Sequence, residues 1–289
     1  MMINRIKNNS HFIFNRFTFV VSIVFALLSG IQMFIDWDSI GIDNVKSKIS
    51  LLLGILMICA IISIIWGMFF ANKMTIYSKD DVEIEVRYGD LMKIAFPKKK
   101  KNDKIVVIAV NRCFDMVVSQ DLIYEGSVHG QFIKRYVHKE SERASLDANI
   151  KKSLSDFGYK PVRLKRSDKR YGNLDRYPLG SIARINGENG VVFFLLALTE
   201  FDKDCKAHCN KHQYVECMLK LFDYYDSHGQ GMELNLYPMG TGMARTGLSK
   251  KEALEATVML RELSKEHLKS KTTIVVDKRC KNEISITDL

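Results

Sequence analysis

Two glycine-rich stretches carry the residue types best suited to holding an anion. The first, "YPMGTGMARTGLS" (Tyr237 to Ser249), combines Gly240, Thr241 and Gly242 with Met243, Ala244 and Arg245. Glycines let backbone N–H groups approach a ligand closely, and an arginine adds a charge-assisted contact or stacks on a ring. The same spacing also suits an ordinary strand-to-helix connection, and it matches neither the P-loop nor the dinucleotide fingerprint. The second, "YEGSVHGQFIKRY" (Tyr124 to Tyr136), places Gly126 and Gly130 around Ser127, Val128 and His129. Two such loops after strands can grip a diphosphate from both sides. His129 reads equally as a ligand contact or as a loop-packing histidine. "CKAHCNKH" (Cys205 to His212) spaces two cysteines and two histidines four apart. On one short helix these make a poor tetrahedral cage, so a solvated helix start is expected and no metal site. No acid–base pair or nucleophile constellation points to catalysis.

The elements around the loops follow from periodicity. "VEIEVR" (Val82 to Arg87) alternates as a half-buried strand does, and "KIVVIAV" (Lys104 to Val110) and "VVFFLLAL" (Val191 to Leu198) read as buried strands. Leu146, Ile150, Leu154 and Phe157 share a helical face that ends at Gly158. Val215, Met218, Leu221, Phe222 and Tyr225 share another. "MELNLY" (Met232 to Tyr237) predicts a strand before the first glycine loop, and Ser249 with Glu252 an S-x-x-E capping box at the start of a helix over 249–268. "TTIVVD" (Thr272 to Asp277) closes with a strand. Strand, glycine loop and helix N-terminus together favour phosphate. Strands alternating with helices imply a layered α/β domain. The polar, basic segment Lys160 to Asn173 reads as a surface excursion.

The N-terminal part differs in kind. Phe17 to Ile35 and Ile49 to Ala71 are apolar and free of formal charge, and each is long enough to cross a hydrocarbon core of ~30 Å as a helix. Transmembrane helices are expected at about 17–37 and 49–71, followed by a cytoplasmic domain over 74–289. Trp37 and Trp66, the only tryptophans, lie near the ends of these runs, where amphipathic rings favour the interface. Arg5, Lys7 and Arg16 precede the first run; Lys73, Lys79 and "PKKKKNDK" follow the second. The connection between the runs holds Asp36, Asp38 and Asp43 against Lys46 and Lys48. The positive-inside rule then places both termini in the cytoplasm. Gly30, Gly54, Ser22, Ser29 and Ser63 are small enough to let spans approach. With 289 residues, 47% of them hydrophobic, the chain has enough for one sizeable core plus this appendage. Its net charge of +10 suits an anionic partner, without a motif for nucleic acid. Six scattered cysteines read as reduced thiols.

Taken in order, "YGDLMK" (Tyr88 to Lys93), "IVVIAVNRCFD", "GSVHGQF", "YPLGSIARI" with "FFLLALTEF", and "YPMGTGMARTGLS" resemble a macro domain. The order and spacing resemble Thoeris anti-phage effectors of the type that joins two membrane spans to a macro module. It extends over the hairpin and nearly all of residues 80–280. The resemblance implies a three-layer α/β/α sandwich and an ADP-ribose-type ligand with no further cofactor. Asp90 then accepts from the adenine amino group, with Leu91 beside it, or serves as a helix cap only. Asn111 lies near a ribose. Ser127, Val128, His129 and Gly130 form the first phosphate loop, and Gly240 to Arg245 the second. It further implies a TIR-domain partner that makes a histidine- or base-linked ADP-ribose from NAD, a homo-oligomer in the bacterial inner membrane, and membrane disruption leading to abortive infection. Two departures bear on activity. "NRCF" puts Phe114 where macro hydrolases carry a second asparagine, and "GSVHG" replaces a glycine triplet. Both argue against hydrolysis and for binding; the alternatives are an ADP-ribosyl hydrolase tethered to the membrane and a passive membrane-anchored ADP-ribose-binding scaffold.

Overall fold

The computed structural model describes residues 2–35, 44–80, 82–100, 102–242, 244–287 and 289. Trp37 and the aspartates of the inter-span connection lie outside the described residues, as does Met243. The chain forms two compact units, Met1–Met74 with Arg279–Leu289, and Thr75–Lys278.

The first unit begins with α1 (Met2–Asn8) and α2 (Ser10–Gln32), followed by α3 (Val45–Phe69). Asn44 starts α3 by accepting a hydrogen bond from the Ser47 amide at 2.8 Å. Both α2 and α3 are long and apolar enough to cross a membrane, with mean hydropathies of 1.9 and 2.8 over their most apolar stretches. Their large side chains, Phe19, Leu27, Ile31, Met57, Ile58 and Ile61 among them, point outward and are exposed. Cys59, Ser63 and Gly67 recur every fourth residue on the buried face of α3. A Cβ on Gly67 would lie 2.3 Å from Ile13 Cγ1, so this glycine sets how closely α3 meets α2. Ser63 has the packing role its size suggests. Gly30 and Gly54 have open space around them, and Ser22 and Ser29 are exposed. The Arg16 guanidinium lies 5.7 Å from the centre of the Trp66 ring and 5.0 Å from that of Phe12.

The second unit is built on β1 (Lys73–Lys79), β2 (Val82–Gly89), α4 (Leu91–Ala95), β3 (Lys104–Asn111), α5 (Val128–Tyr136), α6 (Glu140–Asp156), the short pair β4 (Val162–Arg163) and β5 (Asp175–Arg176), β6 (Ile182–Asn186), β7 (Val191–Phe201), β8 (Ala207–His208), α7 (Lys211–His228), β9 (Glu233–Leu236), α8 (Lys250–Leu263) and β10 (Thr272–Asp277). The main sheet runs β1-β2-β10-β9-β3-β7-β6, with β8 on β7. From β2 through β10, β9 and β3 to β7 every pairing is parallel. β6 closes that edge antiparallel to β7.

Parallel strands covered on both faces read as continuous apolar runs, and alternate residues feed opposite layers. Val106, Ile108 and Val110 of β3 join Phe193, Leu195 and Ala197 of β7 in one core with Leu91 and Met92 of α4, Phe132 and Ile133 of α5, and Leu146, Ile150 and Leu154 of α6. Phe194 faces the other way and meets Tyr224 of α7, ring centres 5.1 Å apart. Tyr214 of α7 shares a hydrogen bond of 2.8 Å with Thr257 of α8 beneath the same face. The result is a three-layer α/β/α sandwich.

Several details depart from the sequence reading. Phe157 and Val215 are exposed at 37% and 38%, at the margins of their helical faces. β2 is more than half-buried: Glu85 is 3% exposed, with its carboxylate accepting from Lys271 Nζ at 2.8 Å. The helix after Ser249 ends at Leu263, and a 3-10 turn, Lys265–His267, follows. Cys205 to Asn210 is not helical: α7 starts at Lys211 and is capped by Asn210. Cys205 and Cys209 are buried, and His208 Nε2 lies 2.9 Å from Asp202.

Among the described residues the largest fully buried side chain is that of Arg261. Its guanidinium donates two bonds to Asp226, at 3.0 and 3.2 Å, and stands over the rings of Phe222 and Tyr225. It ties α8 to α7 with a planar fork that lysine cannot reproduce. Arg261→Lys is expected to cost about 2 kcal/mol of unfolding free energy, read from urea denaturation, because one charged bond and both ring contacts are lost.

Candidate functional site

The register brings Asp90, Asn111 and the Gly240 loop to one edge of the sheet. Asp277 of β10 pairs with Gly89, so β10 and β2 end level, and Asp90 follows. Leu236, the last residue of β9, pairs with Ile274, and Asn235 with Val106. The chain then continues through Tyr237 to Gly240 while β3 runs on to Asn111. Asp90, Asn111 and the Gly240 loop therefore follow the carboxyl ends of strands that neighbour β10 or one another. In open α/β sheets this edge is where ligands bind.

Asp90 is exposed and caps α4, its Oδ1 accepting from the Met92 amide at 2.9 Å. The Leu91 side chain is buried in the core, so what it offers the rim is its backbone N–H. Asn111 ends β3 at a register shift and is 2% exposed. Its Oδ1 accepts from the Cys113 amide at 2.9 Å, and its side chain helps to hold the neighbouring Asp115 carboxyl down.

Ser127 caps α5. Its hydroxyl donates to the Tyr124 carbonyl at 2.7 Å and accepts from the Gly130 amide at 3.0 Å. The amides of Val128 and His129, in the first turn, are left for an outside acceptor. Gly130 admits nothing larger: a Cβ there would lie 2.2 Å from the Tyr124 carbonyl oxygen. The His129 side chain is 7% exposed and its Nε2 is unpartnered. Burial pushes its imidazole down from 6.5 to about 3, so the ring is neutral at physiological pH.

An unfolded chain binds a proton at His129 below pH 6.5 and the folded one does not until about pH 3, so stability contributed by the neutral ring is complete above 6.5 and falls as pH drops through that window. The expected slope is up to about 1.4 kcal/mol per pH unit. His129→Gln should flatten it in denaturation measured from pH 7 to pH 4.

In the second loop, Thr246 Oγ1 donates to the Gly240 carbonyl at 2.9 Å and accepts from the Leu248 amide at 3.2 Å, closing the turn. Gly240 has φ +89°, and a Cβ there would press on Thr246. Gly242 is exposed with open space around it. Thr241 and Ala244 are half-buried. Arg245 is exposed in the left-handed region at φ +51°. The capping box at Ser249 is formed in full: its amide donates to Glu252 at 2.7 Å and its hydroxyl accepts from the Glu252 amide at 3.2 Å.

A brace behind the rim was not read from the sequence. Lys169, inside the supposed surface excursion, is 0% exposed and donates to Asp115 Oδ2 at 2.5 Å and to the Asn173 carbonyl at 2.7 Å. The Asn173 amide donates to Asp115 Oδ1 at 2.6 Å, and its side chain to the carbonyls of Cys113 and Phe114. Gly172, at φ +75°, is required because a Cβ would sit 2.1 Å from Asp115. Burial pushes the Asp115 carboxyl upward against the opposing pull of Lys169. Phe114, at φ +50°, is buried with its ring edge-on to Tyr177, centres 5.6 Å apart. The only signal for this brace was a lysine and a glycine in a segment poor in apolar residues.

The layer order and the glycine loops at the carboxyl ends of parallel strands define an α/β domain of macro type. The chain belongs to the family described as Thoeris protein ThsA, Macro domain, which residues 84–277 match. It is also 25% identical over 279 residues to Thoeris protein ThsA of Bacillus amyloliquefaciens (strain Y2), an alignment covering 93% of this chain and 86% of that one. Among solved structures it is similar to the Oceanobacillus iheyensis macrodomain with ADP, at 13% identity and a TM-score of 0.46, covering 74% of this chain and 92% of the other. The same macrodomain with MES bound gives 12% identity and a TM-score of 0.45, covering 72% and 90%.

Proposed function

We propose that this chain is a Thoeris membrane effector whose macro unit binds an ADP-ribose-derived nucleotide. The reading is supported by the strand register, which sets Asp90, Asn111 and the Gly240 loop after the carboxyl ends of neighbouring parallel strands, and by two glycine loops that each lead to a capped helix start. Backbone amides of the two loops take the diphosphate, and Asp90, which only accepts hydrogen bonds when ionised, takes the adenine amino group. Asn111, at the carboxyl end of β3, is placed to meet a ribose. Phe114 presents a buried ring where hydrolases of the wider group carry an asparagine, which supports binding without turnover.

The hairpin lies in the cell membrane. Its outward apolar side chains suit lipid and would be untenable in water as a patch of that size. Both termini and the macro unit are cytoplasmic. A TIR-domain enzyme supplies the signal from NAD, and ligand binding selects an arrangement of several chains that disrupts the membrane and ends in abortive infection. Two spans cannot enclose a pore alone, so the active form is a homo-oligomer. The ligand shifts this equilibrium only by its differential affinity for the two states.

Hydrogen exchange of the full chain in detergent micelles tests the reading. ADP-ribose should slow exchange at 90–92, 127–131 and 240–246. Protection confined to other segments would overturn the placement of the pocket.

A further inference from the structure

The C-terminal tail groups with the membrane hairpin although it follows directly from the sheet of the macro unit. Residues Arg279–Leu289 belong to the same compact unit as Met1–Met74. Within that unit the tail is docked by specific bonds. Arg5 Nε donates to Asn282 Oδ1 at 2.8 Å, and Asn8 Nδ2 to the Asn282 carbonyl at 3.1 Å. The hydroxyls of Ser285 and Thr287 both donate to Asn9 Oδ1, at 3.2 and 3.0 Å. Lys281 Nζ donates to Asn72, just beyond the end of α3. Ile284 and Ile286 are 3% and 0% exposed, and Asn9, a polar residue between α1 and α2, is 7% exposed. A loose terminus carries neither buried isoleucines nor a buried asparagine with its acceptor doubly occupied.

The tail's other end matters as much. It continues from β10, which lies between β2 and β9. Those neighbours lead into Asp90 on one side and the Gly240 loop on the other. A ligand that bridges these two loops acts across the end of β10, and the next residues of the chain are the tail. We propose that the tail is a mechanical strap, carrying a displacement of the β10 end into α1 and the start of α2. The chain would then have two routes from macro unit to hairpin, a covalent one through β1 and a second through the tail, which is covalent with β10 and hydrogen-bonded to α1. The ligand-dependent part of the inference rests on the function proposed above.

The test compares three forms of the protein in detergent micelles by hydrogen exchange, each with and without ADP-ribose: the intact chain, the full-length Asn9→Ala/Asn282→Ala variant, and a chain ending at Lys278. Without ligand, the α1 amides should exchange at least tenfold faster in both altered forms than in the intact chain. With ADP-ribose, exchange in α1 should change in the intact chain alone, while protection at the rim is the same in all three. Equal α1 exchange in the unliganded forms overturns the strap. So does an α1 response to ADP-ribose that survives detachment, or rim protection in the intact chain with α1 unmoved. If ADP-ribose protects the rim in none of them, the function proposed above fails, and the unliganded comparison alone decides whether the tail holds α1.

Discussion

Lys169→Met is expected to lower the unfolding free energy of the chain by about 3–5 kcal/mol, the cost of leaving a buried charge without its partner. Asp115 is 1% exposed and would lose its charged partner, keeping only neutral donors such as the Asn173 amide. Methionine fills the lysine's space beside Phe201 but supplies no donor. The double variant Asp115→Asn/Lys169→Met should recover most of the loss, since asparagine still accepts from the Asn173 amide and carries no charge. The loss in the single variant should also shrink at low pH. Burial already raises the Asp115 carboxyl. Without Lys169 the folded state takes up a proton there more readily than the unfolded chain does, so acid relieves the strain. Urea denaturation followed by circular dichroism reads all three results. Tryptophan emission would not serve, because Trp37 and Trp66 both belong to the hairpin part of the sequence. A double variant as unstable as the single one would mean that shape, not charge, makes the brace.

Gly242→Glu is expected to reduce affinity for ADP-ribose at least 100-fold, about 2.7 kcal/mol or more, with stability changed by no more than about 0.5 kcal/mol. The separation of the two effects comes from the surroundings of this glycine. A Cβ at Gly242 meets nothing within 4 Å, and its φ is not among the positive ones. A side chain added there enters open space at the rim, and a carboxylate brings negative charge towards the diphosphate. Gly130 offers the contrast. A Cβ there would collide with the Tyr124 carbonyl, so Gly130→Ala should damage the fold of the loop and report on stability first. If Gly242→Glu binds ADP-ribose as the unaltered chain does, the second loop does not touch the diphosphate.

What the sequence made legible was local. The apolar runs of β3 and β7, the apolar faces of α6 and α7, and the Ser249–Glu252 box depend on residues a few positions apart, and each stands close to where the pattern put it. The glycine loops were visible as composition, though not the separate reasons for their glycines. Gly240 needs its backbone angle, Gly130 needs clearance, and Gly242 needs neither. What stayed hidden depends on distant partners. Lys169 meets Asp115 across 54 positions, and Arg261 meets Asp226 across 35. A buried charge looks like any surface charge until its partner is known, so a polar segment was read as solvated. The tail was hidden for the same reason. Asn282 and Ser285 find Arg5 and Asn9 from the far end of the chain. Spacing four apart in Cys205 to His212 suggested a helix. The buried thiols of Cys205 and Cys209 precede the Asn210 cap instead, and that cap is what starts α7.

The central claim is that the two glycine loops jointly hold the diphosphate of an adenine nucleotide. Isothermal calorimetry of the full chain in detergent tests it most directly, with ADP-ribose titrated into the unaltered protein and into Gly242→Glu and Asp90→Ala. The account predicts saturable binding, one ligand per chain, that weakens sharply in both variants. ADP-ribose binding left undiminished in both would contradict it.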